Sequence, residues 1–146
     1  MYRKVLVPLD GTEISEHSIS HVKSIATSCN VPQVILLRIV EPMPVYAELG
    51  EAKRVEINKN AEVGAKEYLA RIAGILKKEN INTESVMIVG EDAATEILNY
   101  AQKSKVDLII MTSHSHSGLM RWLIGSVAER VIRHSPVSIL LVSPEK

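Results

Sequence analysis

The sequence predicts an α/β protein: a doubly wound, five-stranded parallel sheet with helices on both faces, forming a single domain over residues 1–146. Two observations carry this. Five short apolar runs alternate with four segments of helical spacing, and alternating βαβ units require a parallel sheet with right-handed crossovers. The first, second and fourth runs are also nearly unbroken in apolar residues, as strands are when helices cover both of their faces.

The elements follow in order. Val5-Leu6-Val7 is the first strand. Helical periodicity then runs from Ile14 through Ile19, Val22 and Ile25 to Ala26. Pro32 opens the second strand, residues 34–40, whose apolar run is broken only by Arg38. Pro42 and Pro44 mark residues 41–50 as a loop. A long helix is expected over residues 52–78, with Val55, Leu69, Ile72 and Leu76 toward the sheet and Glu and Lys outward. The third strand covers residues 83–89. Asp92 is placed to cap a third helix with Ile97, Leu98 and Ala101 inward. Residues 108–111 form the fourth strand, 127–134 the last helix and 138–142 the fifth strand.

The composition excludes several functions. The charges balance, 17 basic against 17 acidic, which argues against a general polyanion binder and hence against nucleic acid as partner. Aromatics are 3%, with no Phe, so a base-stacking platform is not expected and any purine pocket must be lined by aliphatic side chains. Cys29 is the one cysteine, which leaves no intrachain disulfide and fits a reducing compartment. There is no signal-peptide pattern and no apolar stretch of membrane-spanning length. The expectation is a cytoplasmic protein with no membrane association.

The segment MTSHSHSGLMRWLIGS, Met111 to Ser126, is the most informative. It lies between a buried strand and a helix start, where unpaired N–H groups and the helix dipole favour an anion. If the sheet order reverses between the first and fourth strands, their carboxyl ends form a ligand crevice. Those ends carry Pro8-Leu9-Asp10-Gly11 and Met111-Thr112-Ser113-His114. Asp10 has two readings: an acceptor for a ribose or base, or a turn residue before Gly11, with Thr12 capping the next helix. Ser126 also has two. With Glu129 it fits a Ser-x-x-Glu capping box, and it could equally donate to phosphate.

His114 and His116 alternate with serines. An HxH pair supplies at most two ligands, so no metal site is expected. His17 and His21, four apart, read as a solvated pair. Met111, Met120 and Trp122 read as core or loop-covering residues, and Arg121, Arg130 and Arg133 as solvated charge. No nucleophile–base constellation is recognisable, so no catalytic residue is assigned.

The chain resembles the universal stress proteins of the UspA type over its whole length. The resemblance rests on VLVPLDGTE, ILLRIVEP, VGEDAATEIL, DLIIMTSHSHSG and LIGSVAERVIRHSPVSILLV. It implies strand order 3-2-1-4-5, no common enzymatic activity, a stress or regulatory role, and homodimers joined through the fifth strand, Ser138–Val142. One branch of the family binds ATP or AMP in the crevice. By this resemblance Pro8, Leu9 and Asp10 border base and ribose, Ile39 contributes main-chain contact to the base, and Gly125, Ser126 and Val127 hold phosphate, with Met111 and His114 alongside.

That branch has a pattern of Gly, two residues, Gly, nine residues, Gly, then Ser or Thr. It falls here on Thr112, Ser115, Gly125 and Ser126. Gly118 lies between and is not one of the pattern glycines. Thr112 and Ser115 carry a Cβ where the pattern has none. A positive φ there would be strained, and the two hydroxyls could instead donate to phosphate. Two alternatives to a nucleotide-binding homodimer are a dimeric interaction module without nucleotide, favoured by Thr112 and Ser115, and a slow phosphohydrolase using Mg²⁺ near Asp10.

Overall fold

The computed structural model describes residues 1–45, 48–113 and 124–144. Its strands are β1 (Lys4–Pro8), β2 (Gln33–Val40), β3 (Thr83–Val89), β4 (Leu108–Thr112) and β5 (Ser138–Val142). They form one sheet in the order β3-β2-β1-β4-β5, and every pairing is parallel. The helices are α1 (Ser18–Ser28), preceded by a 3-10 turn at Ser15–His17, α2 (Glu51–Lys77), α3 (Ala93–Lys103) and α4 (Ser126–His134). The expected strand order and the two helical faces are both present.

Strand periodicity divides the core into two layers. Successive side chains point to opposite faces, so Val5, Val7, Val34 and Leu36 pack with Val22 of α1 and with Leu69, Ile72 and Leu76 of α2. Leu6, Ile35, Leu37 and Ile109 pack on the other face with Ile97 and Ala101 of α3 and Val131 of α4. β1 and β4 are buried on both faces because helices cover both sides of the sheet where they lie. The edge strands β3 and β5 are largely half-exposed or exposed.

One expectation fails on α2. Val55 was expected against the sheet but is 54% exposed. The buried residues of α2 begin only at Ala65. A helix of 27 residues extends about 40 Å, whereas a strand of 8 spans about 26 Å. The first half of α2 therefore overhangs the sheet. The correct period in its sequence carried no information about where the sheet stops. Leu98 is half-buried beside the α3 layer rather than fully inside it.

The helices α1, α2 and α3 end alike. Asn30, Asn80 and Lys105 have positive φ of 48°, 59° and 53°. The residue after each bonds back across the last turn: Val31 N to Ala26 O, Ile81 N to Leu76 O and Val106 N to Ala101 O, at 3.0 to 3.2 Å. These are left-handed helix terminations made without glycine. Asn tolerates that conformation through its short polar side chain, whereas Lys bears the full steric cost of its Cβ, roughly 1–2 kcal/mol. Lys105→Gly is therefore expected to raise stability by about 1 kcal/mol, after the flexibility of glycine in the unfolded chain is discounted. Chemical denaturation of the variant beside the parent measures it, and unchanged or lowered stability would show that the turn holds Lys105 without strain.

Candidate functional site

β1 and β4 are neighbours at the centre of the sheet, and the chain leaves them toward opposite edges. This is a topological switch point, where the strand ends leave a crevice. A cavity of about 230 Å³ occupies it. Its floor comes from Pro8, Leu9 and Asp10 at the end of β1, Leu37, Arg38 and Ile39 at the end of β2, and Met111 and Thr112 at the end of β4. Ala93 and Ile97 of α3 form one wall, and Gly125 with the first turn of α4, Ser126 to Ala128, forms another.

The end of β1 is held by a chain of hydroxyls. Oδ1 of Asp10 accepts from Thr12 N at 2.9 Å and from Thr12 Oγ1 at 2.6 Å. Thr12 Oγ1 in turn accepts from Ser15 N at 3.2 Å, and Ser15 Oγ donates to Thr12 O at 2.8 Å. Thr12 thus caps the turn that leads into α1, as the turn reading of Asp10 requires. Gly11 makes the bend with φ of 88°, a conformation that favours glycine. Asp10 nevertheless lines the cavity while forming the turn, so its two readings are compatible.

Thr112 settles a question about the other strand end. It belongs to β4, and its φ is not among the positive values, so the strain that a positive φ would bring is absent. Its side chain is buried, and Oγ1 donates to Ser15 O at 3.1 Å. The hydroxyl anticipated as a phosphate donor is instead spent on joining β4 to the β1 turn. Position 112 therefore does not demand glycine.

Tyr68 of α2 lies near this turn, beside Ser15 and Glu16. Its hydroxyl is buried without a hydrogen-bond partner among the described residues. Burial is the main cause that pushes the phenol above its usual range. The Ser15 hydroxyl opposes the shift from nearby, outside hydrogen-bond geometry; the Glu16 carboxylate reinforces it. The Arg71 guanidinium lies 5.3 Å from the ring centroid and pairs with Glu16 at 2.7 Å.

α4 corrects another expectation. The N-cap is Gly125, and Ser126 is the first residue of the helix, so Ser126 does not serve as the cap of a Ser-x-x-Glu box. Glu129 N donates to Gly125 O at 2.9 Å, while the Glu129 carboxylate accepts from Arg133 at 2.8 Å. Having no side chain, Gly125 leaves the first-turn N–H groups uncapped at the cavity wall. Such groups, with the helix dipole, attract an anion.

The two walls are clamped together. Asp92 caps α3 by accepting from Thr95 N at 3.3 Å, and it also accepts from the Thr95 hydroxyl. Arg130 of α4 donates to Asp92 Oδ1 at 2.7 Å and to Thr95 Oγ1 at 3.2 Å. The Arg130 hydrogen bond, with that of Thr95, lowers the Asp92 carboxyl to about 2. The clamp therefore stays charged throughout the neutral range. Arg130, expected as solvated charge, has this specific partner, and Arg133 pairs with Glu129.

The positions taken from sequence as Pro8, Leu9, Asp10, Ile39, Met111, Thr112, Gly125, Ser126 and Val127 thus converge on one cavity. His114 and Ser115 lie outside the described residues, as do His116, Gly118, Met120, Arg121 and Trp122. Among the described residues, no group of three or more His, Cys, Asp or Glu side chains converges on a metal-sized space, and no helix is long and apolar enough to cross a membrane. Sequence reasoning missed Ser15, Leu37, Arg38, Ala93, Ile97 and Ala128. Leu37 could have been found from Ile39 by strand period, and Ala93 from Ile97 by helix period. Nothing local pointed to Ser15.

A parallel sheet that reverses at β1 and β4, with a cavity over the reversal facing an uncapped helix start, defines a doubly wound α/β protein with a switch-point crevice. The sequence profile of the universal stress protein family matches residues 1–143, and the chain belongs to that family. It is similar to universal stress protein MJ0531 of Methanocaldococcus jannaschii, with 30% identity over 146 residues that cover 100% of this chain and 85% of the relative. It is also similar to protein MJ0577 of the same organism. The solved structure of MJ0577 matches with a TM-score of 0.86 at 31% identity, covering 100% of this chain and 99% of the other. A universal stress protein solved in complex with cAMP matches with a TM-score of 0.73 at 21% identity, covering 99% and 98%. At that identity the likeness is one of fold.

Proposed function

We propose that this protein binds an adenine mononucleotide, ATP or AMP, in the switch-point cavity and acts as a homodimer with a stress or regulatory role. The observation that carries the reading is the cavity itself, aliphatic in its middle and bounded at one side by the uncapped start of α4. Leu37, Ile39, Ile97 and Met111 offer a surface for a purine. Gly125, Ser126 and Val127 offer N–H groups to phosphate, and Asp10 stands at the ribose and base end.

Solved members of the fold carry cAMP, AMP and dAMP. Those ligands belong to those proteins; they support the same class of ligand here. Much of the polar chemistry around the strand ends is already engaged: Thr112 with Ser15, Ser15 with Thr12, and Oδ1 of Asp10 with Thr12. That favours holding a ligand over turning it over. Mg²⁺ would enter with the phosphates of ATP, as it commonly does.

Calorimetric titration of the full chain with ATP and with AMP, each with and without Mg²⁺, tests the reading. Saturable binding of one nucleotide per chain is expected, tighter with Mg²⁺ for ATP. Absence of heat or competition at millimolar nucleotide would replace this reading with that of a dimeric interaction module.

A further inference from the structure

β2 contains one anomaly. Its residues from Val34 to Leu37, and again Ile39 and Val40, are buried and apolar, yet Arg38 stands among them, half-buried. A guanidinium has five donors and is permanently charged, so partial burial without acceptors is costly. Arg38 is in none of the ion pairs among the described residues. Its guanidinium extends over the end of β1, where its nitrogens lie 3.7 and 3.8 Å from the position of a Cβ built on Gly11, the residue after Asp10. Arg38 also lines the cavity.

Strand period fixes its side. Leu36 belongs to the α1–α2 layer and Leu37 to the α3–α4 layer, so Arg38 faces the α1–α2 side. The start of α4 lies on the opposite side, where Ala128 packs in the α3–α4 layer. Two features that attract anions, a helix N-terminus and a guanidinium, therefore straddle the same strand ends.

We propose that Arg38 is a specificity-determining residue for a second phosphate on the ribose, so that the preferred ligand is an adenosine bisphosphate with a 5′-phosphate at α4 and a 2′- or 3′-phosphate at Arg38. This rests on the nucleotide reading above and names its ligand class more closely. An arginine beside the ribose hydroxyls is the general device by which switch-point folds accept a ribose phosphate. The planar fork of guanidinium matches phosphate in a bidentate pair. The same contact supplies the acceptors that Arg38 lacks among the described residues.

Titrations of the full chain with AMP, adenosine 3′,5′-bisphosphate and adenosine 2′,5′-bisphosphate test it. One bisphosphate is expected to bind at least tenfold tighter than AMP. In Arg38→Gln that ratio falls to near one, and Arg38→Lys retains part of it as a point charge. A purely structural role for Arg38 would lower all affinities together and leave the ratio unchanged, which overturns the inference. The parent protein alone also overturns it if AMP binds and neither bisphosphate binds more tightly; the nucleotide reading then survives. If neither AMP nor a bisphosphate binds, both fall.

Discussion

Gly125→Val is expected to abolish nucleotide binding and leave the protein folded. Gly125 has φ of −57° and ψ of 154°, a conformation open to any residue. Valine therefore brings no backbone strain, and the last helix still begins at Ser126. What changes is the wall of the cavity, where a branched side chain takes space beside the first-turn N–H groups. A loss of at least 100-fold in affinity, about 2.7 kcal/mol, is expected. It is read by calorimetry on a variant whose circular dichroism and thermal transition match the parent. Full affinity in a folded Gly125→Val protein would mean that the phosphates lie elsewhere.

Leu141→Pro is expected to convert the proposed dimer to a monomer. β5 is an edge strand in the sheet order, and an apolar edge invites pairing across a two-fold axis. The direction of its backbone groups decides which residue to change. Ser113 N donates to Val142 O at 2.9 Å, so Val142, and by strand period Leu140, direct their backbone groups toward β4. Ile139 and Leu141 direct theirs toward the open edge. Proline at Leu141 removes an outward donor and spares the ladder to β4. Proline at Leu140 breaks that ladder and is expected to lower stability. Sedimentation velocity reads the outcome, and a dimer that persists with Leu141→Pro folded would place the contact on another surface.

The fold was legible because its signals are local. The unbroken apolar run at β2 and the alternation of periods define strands and helices without reference to anything distant. The overhang of α2 was not legible, since Val55 repeats the helical pattern of buried residues but the reach of the sheet is a property of the other strands. The nucleotide pattern picked out Gly125 and Ser126, which line the cavity, yet it made Thr112 look like a defect. Only the distant Ser15 carbonyl, which receives the Thr112 hydroxyl across 97 positions, explains that residue. The Ser126 capping box failed for the opposite reason: the motif is short and true to type, but the helix starts one residue earlier than the box needs, with Gly125 as its N-cap.

The left-handed terminations at Asn30, Asn80 and Lys105 lie just before β2, β3 and β4, whereas the cavity opens at the far ends of the strands. The molecule therefore has a pole where the chain is turned and a pole where a guest is met, and the sheet separates them. Changes in recognition at one pole need not disturb the turns at the other. A lineage can exchange residues at the strand ends and keep the same scaffold. On this account variation in ligand among such proteins accumulates at the guest pole, while the turning pole evolves under the separate demand that three helices stop on time.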